Sequence, residues 1–301
     1  MRYLSFRDAA GTIRAGVLDP DAPAKVHDVT GLLPPGEGSP MRRLIAAGPD
    51  LEEVLGRAEV LDFGDLSVIA PVPDPTKVVA APVNYRHHQS EMQQSSHIDS
   101  LGVFLKAPSS VAGPGAVVTL PYHDRRFDQE GEFAAVIGKT ARRVAEADAL
   151  DHVFGYTCLL DMTMRGGEDR SVRKSFDTFT PTGPTLVSPA DLPPIGELEL
   201  HLWVNGVLRQ RADLKDLIWS LPKLIAYVSS VMTLNPGDIV TTGTPEGVGE
   251  VHDGDRIEVE VTGLDRLSVT VSDAGAVACP TLGAGRGPKP PAELTPVSER
   301  G

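Results

Sequence analysis

Cysteine is nearly absent from this chain: Cys158 and Cys279 are its only two. One sits in the apolar run 156–160 and the other in a Pro/Gly-rich tail. They make no disulfide framework, and a reducing compartment is expected. Positive charge is also short. Against 41 Asp and Glu stand 28 Lys and Arg, and the formal net charge of −13 repels a phosphate backbone. Nucleic acid is therefore not an expected partner. Long apolar runs are missing, since no stretch approaches the roughly 20 residues of a membrane span. The opening MRYLSFRDAAGTIRAG has no apolar leader core. No membrane association is expected, and a cytoplasmic setting is.

What is present is enough for a sizeable core: 301 residues, 41% of them hydrophobic. That length suits one large domain, or a small domain joined to a larger one. Residues 1–70 read as a small N-terminal unit, with a strand, a turn at Gly11, a second strand over 13–18, and helical stretches over 40–47 and 51–58. Three prolines within 71–77 mark a connector. From 71 to 278 the pattern is mostly short strands. Residues 133–137 form an apolar run. Residues 198–204 alternate into Asn205-Gly206, a hairpin signal. Two further strands are expected over 257–261 and 267–271. One helix stands out, with Leu221, Leu224, Ile225, Val228 and Met232 at helical spacing behind a capping Ser220. The fold class is mixed α/β with β dominant. Residues 279–301, rich in Pro and Gly, should be flexible or draped on the surface.

Five signals bear on chemistry. Glu130 and Glu132 flank Gly131 just before an apolar strand, and residues two apart face one side. Two such carboxylates repel unless a cation lies between them or one is protonated. A solvated strand face is the alternative. Asp161 ends an apolar run, where a carboxylate is costly without a partner. A cap or a salt bridge to Arg165 is the alternative there. Together the three carboxylates make an all-oxygen set suited to Mg²⁺, Mn²⁺ or Ca²⁺ and not to zinc.

His88 and Glu91 stand three apart, and on a helix would share a face as a base and its orienting carboxylate. Their polar stretch, 84–99, is poor in apolar anchors and reads either as an exposed helix or as a movable lid. The loop RGGEDRSVRK carries Arg165, Arg170, Arg173 and Lys174 and can hold an anionic substrate group, or simply be solvated. Residues 241–249, TTGTPEGVG, offer hydroxyl and backbone donors but lack the Lys and spacing of a P-loop.

In order, the segments NYRHHQSE, VFLKAPSSVAGPG, FDQEGEFAAVIGK, FGYTCLLDMTMR, KSFDTFTPTGP, WVNG and LNPGDIVTTGTPEGVG resemble the fumarylacetoacetate hydrolase family over roughly 78–272. The resemblance implies a β-roll-like catalytic domain, a small N-terminal α/β domain and a homodimer. It implies Mg²⁺ or Mn²⁺ on Glu130, Glu132 and Asp161. It makes His88, Glu91 and Lys174 the catalytic set, with His88 and Glu91 on a lid. Tyr85, Phe104, Lys106, Arg165 and Thr244 become the substrate-binding set. The implied substrate is a small 2-oxo acid.

The first expectation is metal-dependent hydrolysis of a C–C bond in a 2,4-dioxo acid of acylpyruvate type. The alternative is decarboxylation, or isomerisation of a 2-hydroxy-dienoate such as 2-hydroxyhepta-2,4-diene-1,7-dioate in aromatic catabolism. Gly166, Gly167 and Glu168 after Arg165, and the short loop to Lys174, depart from many members and keep isomerisation open. A non-catalytic metal-binding assembly protein is the reading of another class. It would suit a chain lacking the base, whereas His88, Glu91 and Lys174 are all present.

Overall fold

The computed structural model describes residues 1–297. Its centre is the strand Gly131–Ile137, in which every residue is buried. A strand buried along its whole length must be covered on both faces. Gly131–Ile137 pairs antiparallel with Val153–Leu160 on one side and with Ile239–Thr241 on the other. Beyond Val153–Leu160 the sheet continues through Thr180–Val187, Arg2–Arg7, Ile13–Leu18, Lys25–Asp28 and Glu59–Asp62. Beyond Ile239–Thr241 it runs through Val78–Ala80 to Phe104–Lys106. With two side pairings it has 12 strands and two open ends. The molecule is thus a β-dominated mixed α/β fold.

The expected elements are present. The first two strands are Arg2–Arg7 and Ile13–Leu18, and helices follow at Pro40–Ala47 and Leu51–Leu55. The second helix stops short of residue 58, with Gly56 at its C-cap. The strands of 1–70 extend the central sheet, and Tyr3, Val17 and Leu44 pack in one cluster with Ala134, Val136 and Leu159 of the central strands.

The second sheet orders Val207–Asp213, Glu199–Val204, Arg256–Val261, Leu267–Ser272 and Val117–Thr119. Its first hairpin turns on Asn205 and Gly206, both at positive φ, as a two-residue turn between twisted strands requires. Leu200, Leu202, Val259 and Leu267 share one core with Phe133, Tyr156 and Leu160 of the central sheet. The helix Leu221–Val231 caps on Ser220 and buries Leu221, Leu224, Ile225 and Val228 in that core. Phe133 stacks on Tyr156 at 5.0 Å, and removing such a ring from a core costs about 3–5 kcal/mol. No helix among the described residues is long and apolar enough to cross a membrane. The tail from 279 to 297 lies on the surface as irregular chain.

Candidate active site

The strand Phe127–Gln129 gives way to Gly131–Ile137 at Glu130, and Val153–Leu160 ends just before Asp161. The register Gly131↔Leu160 therefore sets Glu130 beside Asp161, and the Asp161 amide donates to the Glu130 carbonyl at 2.8 Å. Glu132, two residues on, returns to the same face. Carboxylate oxygens of all three lie within 4.8 Å of one another, and all three residues are buried. Gly131 between them has its open side against the second sheet. A Cβ there would meet Leu202 Cδ1 at 2.8 Å, so any side chain would displace Leu202.

The counter-ions are uneven. Lys174 Nζ bridges Glu130 at 2.6 Å and Asp161 at 2.5 Å and donates to Thr163 Oγ1 at 2.6 Å. Lys106 Nζ takes the other Asp161 oxygen at 2.5 Å. Arg165 donates to Asp128 at 2.5 Å and to Glu130 at 2.7 Å. Glu132 has no ion-pair partner among the described residues. One of its oxygens accepts from Thr241 Oγ1 at 2.5 Å and from the Gly243 amide at 2.9 Å. Burial opposes ionisation of Glu130, but Lys174 and Arg165 outweigh it and hold the carboxyl below its usual range. Glu132 goes the other way, because burial and the neighbouring Asp161 charge raise it well above the carboxylate range. Three buried oxygen donors, one of them without a protein cation, fit a hard divalent ion.

The sequence alternatives for these acids resolve differently from expectation. Asp161 pairs with Lys106 and Lys174, not with Arg165. Glu168, the acid in the loop after Arg165, is engaged by Arg125 at 2.7 Å.

The helix Arg86–Glu91 lies over the cluster. His88 lines the same cavity as the three carboxylates and is only 5% exposed. Its Nδ1 meets Glu91 Oε2 at 3.0 Å, and the other Glu91 oxygen accepts from the Gly247 amide at 2.9 Å. The segment is better anchored than its sequence implies, since Val83, Tyr85, Met92 and Ile98 are all buried. Phe104, Arg165, Thr244 and Lys174 line the cavity. Lys106, bonded to Asp161 from behind, does not line the cavity, and Glu91 stands behind His88. Tyr85 does not line it either: its ring is buried, and its hydroxyl finds no partner among the described residues. The cavity is small, about 50 Å³.

Sequence reading missed Gln210, Thr163 and Pro288. Gln210 accepts from the Gly131 amide at 2.8 Å and donates to Thr244 Oγ1 at 2.8 Å, tying the carboxylate strand to the TGTP segment. Pro288, from the tail, lines the cavity. The Gln in WVNGVLRQ sits at a strand position where local pattern gives no cue to a partner 79 residues away.

Comparison with known proteins follows the same geometry. The family model described as fumarylacetoacetate (FAA) hydrolase C-terminal matches residues 77–272. The chain belongs to the fumarylacetoacetate hydrolase family. A maleylpyruvate hydrolase of Aquipseudomonas alcaligenes is 40% identical over 275 residues, 86% of this chain and 96% of that protein. A 4-hydroxyphenylacetate degradation bifunctional isomerase/decarboxylase of Escherichia coli is 41% identical over 232 residues, 75% of this chain and 53% of that protein. The crystal structure of a Sphingobium maleylpyruvate hydrolase in complex with manganese(II) ion and pyruvate superposes with a TM-score of 0.77 at 39% identity, covering 91% of this chain and 99% of that one. The chain is thus an enzyme of a family that includes hydrolases, isomerases and decarboxylases, and a divalent metal suits its acidic triad.

Proposed function

We propose that this enzyme hydrolyses a C–C bond in a 2,4-dioxo acid of acylpyruvate type. The observation that carries the reading is an imidazole held by a carboxylate and facing three buried carboxylates across one cavity. Glu130, Glu132 and Asp161 would hold Mg²⁺. Their all-oxygen set also suits Mn²⁺, the ion in the Sphingobium relative. Such a cation supplies Lewis-acid polarisation of the 2-oxo carboxylate end of the substrate.

The chain's own residues do the rest. Glu91 accepts from Nδ1–H of His88, which leaves Nε2 as the basic atom. His88 takes a proton from water, and the hydroxide adds to the C4 carbonyl. The C3–C4 bond then breaks, its electron pair passes to C3 as an enolate, and His88 returns the proton to C3. The products are a carboxylic acid and a shorter 2-oxo acid. The Lys174 ammonium bridges Glu130 and Asp161 at the cavity and can stabilise the developing anion. Thr244, oriented by Gln210, offers a hydroxyl to the substrate's carboxylate. With a cavity of only about 50 Å³, the helix Arg86–Glu91 must shift to admit substrate and then close over it.

Isomerisation or decarboxylation of a 2-hydroxy-dienoate is the second reading, favoured by the bifunctional isomerase/decarboxylase relative. The same base and enolate serve it. The proposal takes the homodimer from the family resemblance, the cytoplasmic setting from the sparse cysteines, and the domain division at residues 70 and 278 from the Pro-rich connector and the Pro/Gly-rich tail.

The test is a substrate screen with the Mg²⁺-loaded enzyme, following products by mass. Release of a carboxylic acid and a 2-oxo acid from 2,4-dioxo acids is expected. Turnover of 2-hydroxy-dienoates with no cleavage of any 2,4-dioxo acid would replace the first reading by the second.

A further inference from the structure

The segment 84–101, which carries His88 over the cavity, stands on two feet, and Trp219 carries both. Trp219 directly precedes Ser220, the cap of the buried helix Leu221–Val231, so the core fixes its backbone. Its indole is held by the Tyr227 ring, edge-on at 5.2 Å, and by the Lys223 ammonium at 4.6 Å. At the first foot, the Asn84 side chain accepts from the Trp219 amide at 2.7 Å and donates to the Trp219 carbonyl at 3.0 Å. The Asn84 carbonyl accepts from the Ile218 amide at 2.8 Å. At the second foot, in the short helix Ile98–Leu101, Asp99 Oδ1 accepts from the Trp219 indole N–H.

The two feet differ in strength. Asn84 is fully buried, and its side-chain amide also donates to the Thr242 carbonyl at 2.9 Å. The Asp99 side chain is 54% exposed, and its other oxygen meets His97 Nδ1 at 3.7 Å. Behind it the Ile98 amide reaches the Val83 carbonyl at 3.3 Å. Buried, multiply bonded groups open rarely, and an exposed single bond opens readily. Gly102 follows at φ +67, a conformation open to glycine, so the chain can swivel just beyond the weaker foot. Neither Asp99 nor Trp219 lines the cavity. Their effect on the chemistry must pass through the segment between the feet.

We propose that Trp219 is the post on which this segment turns and that Asp99 is its latch. The segment pivots about the Asn84 foot, and the Asp99–indole bond holds it down with His88 facing the carboxylates. Asp99 is therefore a positioning residue that acts through His88. This rests on the reading of His88 as the base.

The test has two readouts, hydrogen exchange followed by peptide mass and steady-state kinetics, on the wild type, Asp99→Ala, Asp99→Asn, Trp219→Phe and the double variant Asp99→Ala/Trp219→Phe. Asp99→Ala should speed exchange in 86–101 by on the order of tenfold, the worth of one hydrogen bond to a charged group, and leave 131–137 and 153–160 as they were. It should lower kcat by a similar factor, with Mg²⁺ affinity unchanged. Asp99→Asn keeps an acceptor for the indole and should recover most of both losses. Trp219→Phe keeps a ring but no N–H donor and should match Asp99→Ala. Because the two residues share one bond, the double variant should be no worse than either single one.

Unchanged exchange in Asp99→Ala overturns the latch. So do additive losses in the double variant, or faster exchange spread over the central strands, which marks a merely structural pair. If exchange rises in 86–101 but kcat holds, His88→Ala decides what has failed. An inactive His88→Ala overturns the positioning role. An active His88→Ala removes His88 as the base and overturns that reading, and the latch then stands or falls on exchange alone.

Discussion

The floor and the cover of the cavity are built by opposite means. The floor is strand backbone: Glu130, Glu132 and Asp161 are placed by the register of two central antiparallel strands, and nearly every polar atom there has a named partner. The cover is short or irregular chain. The helix Arg86–Glu91 has six residues and no capping side chain, and the tail crosses the site without regular structure. Glu91 ties the helix to the Gly247 amide, and the tail is held near its start by Arg125, Glu168 and Asp124 and then by its Gly283 carbonyl on the Gly167 amide. The difference teaches how one site can hold charge rigidly and still admit a substrate. Elements with low local stability supply the parts that move, and those with high stability supply the charges.

The largest effect should come from breaking the floor. Asp161→Ala removes one of the three carboxylates and the shared partner of Lys106 and Lys174. Metal binding by calorimetry should disappear, and turnover should fall by at least about 10³-fold, with the fold retained by circular dichroism. A variant that keeps metal affinity would show that the triad is not the ion's site.

Breaking the cover should separate chemistry from metal binding. His88→Ala should lower kcat by about 10²–10⁴-fold, the usual worth of a positioned base, and leave the metal dissociation constant nearly unchanged. Parallel loss of both would make His88 a ligand and join cover to floor.

Lys174 belongs to the floor yet faces the substrate. Lys174→Met should cost on the order of 10² in kcat. It also strips the bridging cation from Glu130 and Asp161, so the variant should lose more melting temperature without the divalent ion than with it. An equal loss in both conditions would mean that Lys174 and the ion do not share those oxygens.

The same division governs how much could be read in the sequence. The floor was legible because its signal is local: Glu-Gly-Glu before a run of apolar residues, and Asp161 at the end of another, are period-two and burial patterns. The His88–Glu91 pair was legible for the same reason, at helical spacing. Counter-ion assignment was not, because it depends on which distant chain arrives. Lys106 reaches Asp161 across 55 positions, and Gln210 reaches Gly131 across 79. The buried anchors Met92 and Ile98 are isolated apolar residues in a polar stretch, so their sequence pattern is weak. Pro288 lies in a segment whose composition allowed a flexible tail or one draped on the surface and gave no cue to the cavity.

That segment gives the smallest and most informative test of the cover. The tail is fastened at one node. Arg125 donates to Glu168 at 2.7 Å, to Cys279 Sγ at 3.0 Å and to Thr281 Oγ1 at 3.0 Å, and Thr281 also bonds Glu168. The Cys279 amide donates to Asp124 at 2.8 Å. From this node the chain runs past Gly167 to Pro288 at the cavity. It lies beyond residue 272, where the family match ends. Ending the chain after Ala278 should leave metal affinity as it was, because none of the three carboxylates touches the tail. It should open the outer groove and raise KM by up to about tenfold, with kcat changed less, since a wall that contacts substrate in both ground and transition state contributes uniform binding. Thr281→Val, which cuts the node but keeps the tail, should give a smaller shift in the same direction. Unchanged KM in both variants would make the tail a passive covering and would leave the helix Arg86–Glu91 as the whole of the cover.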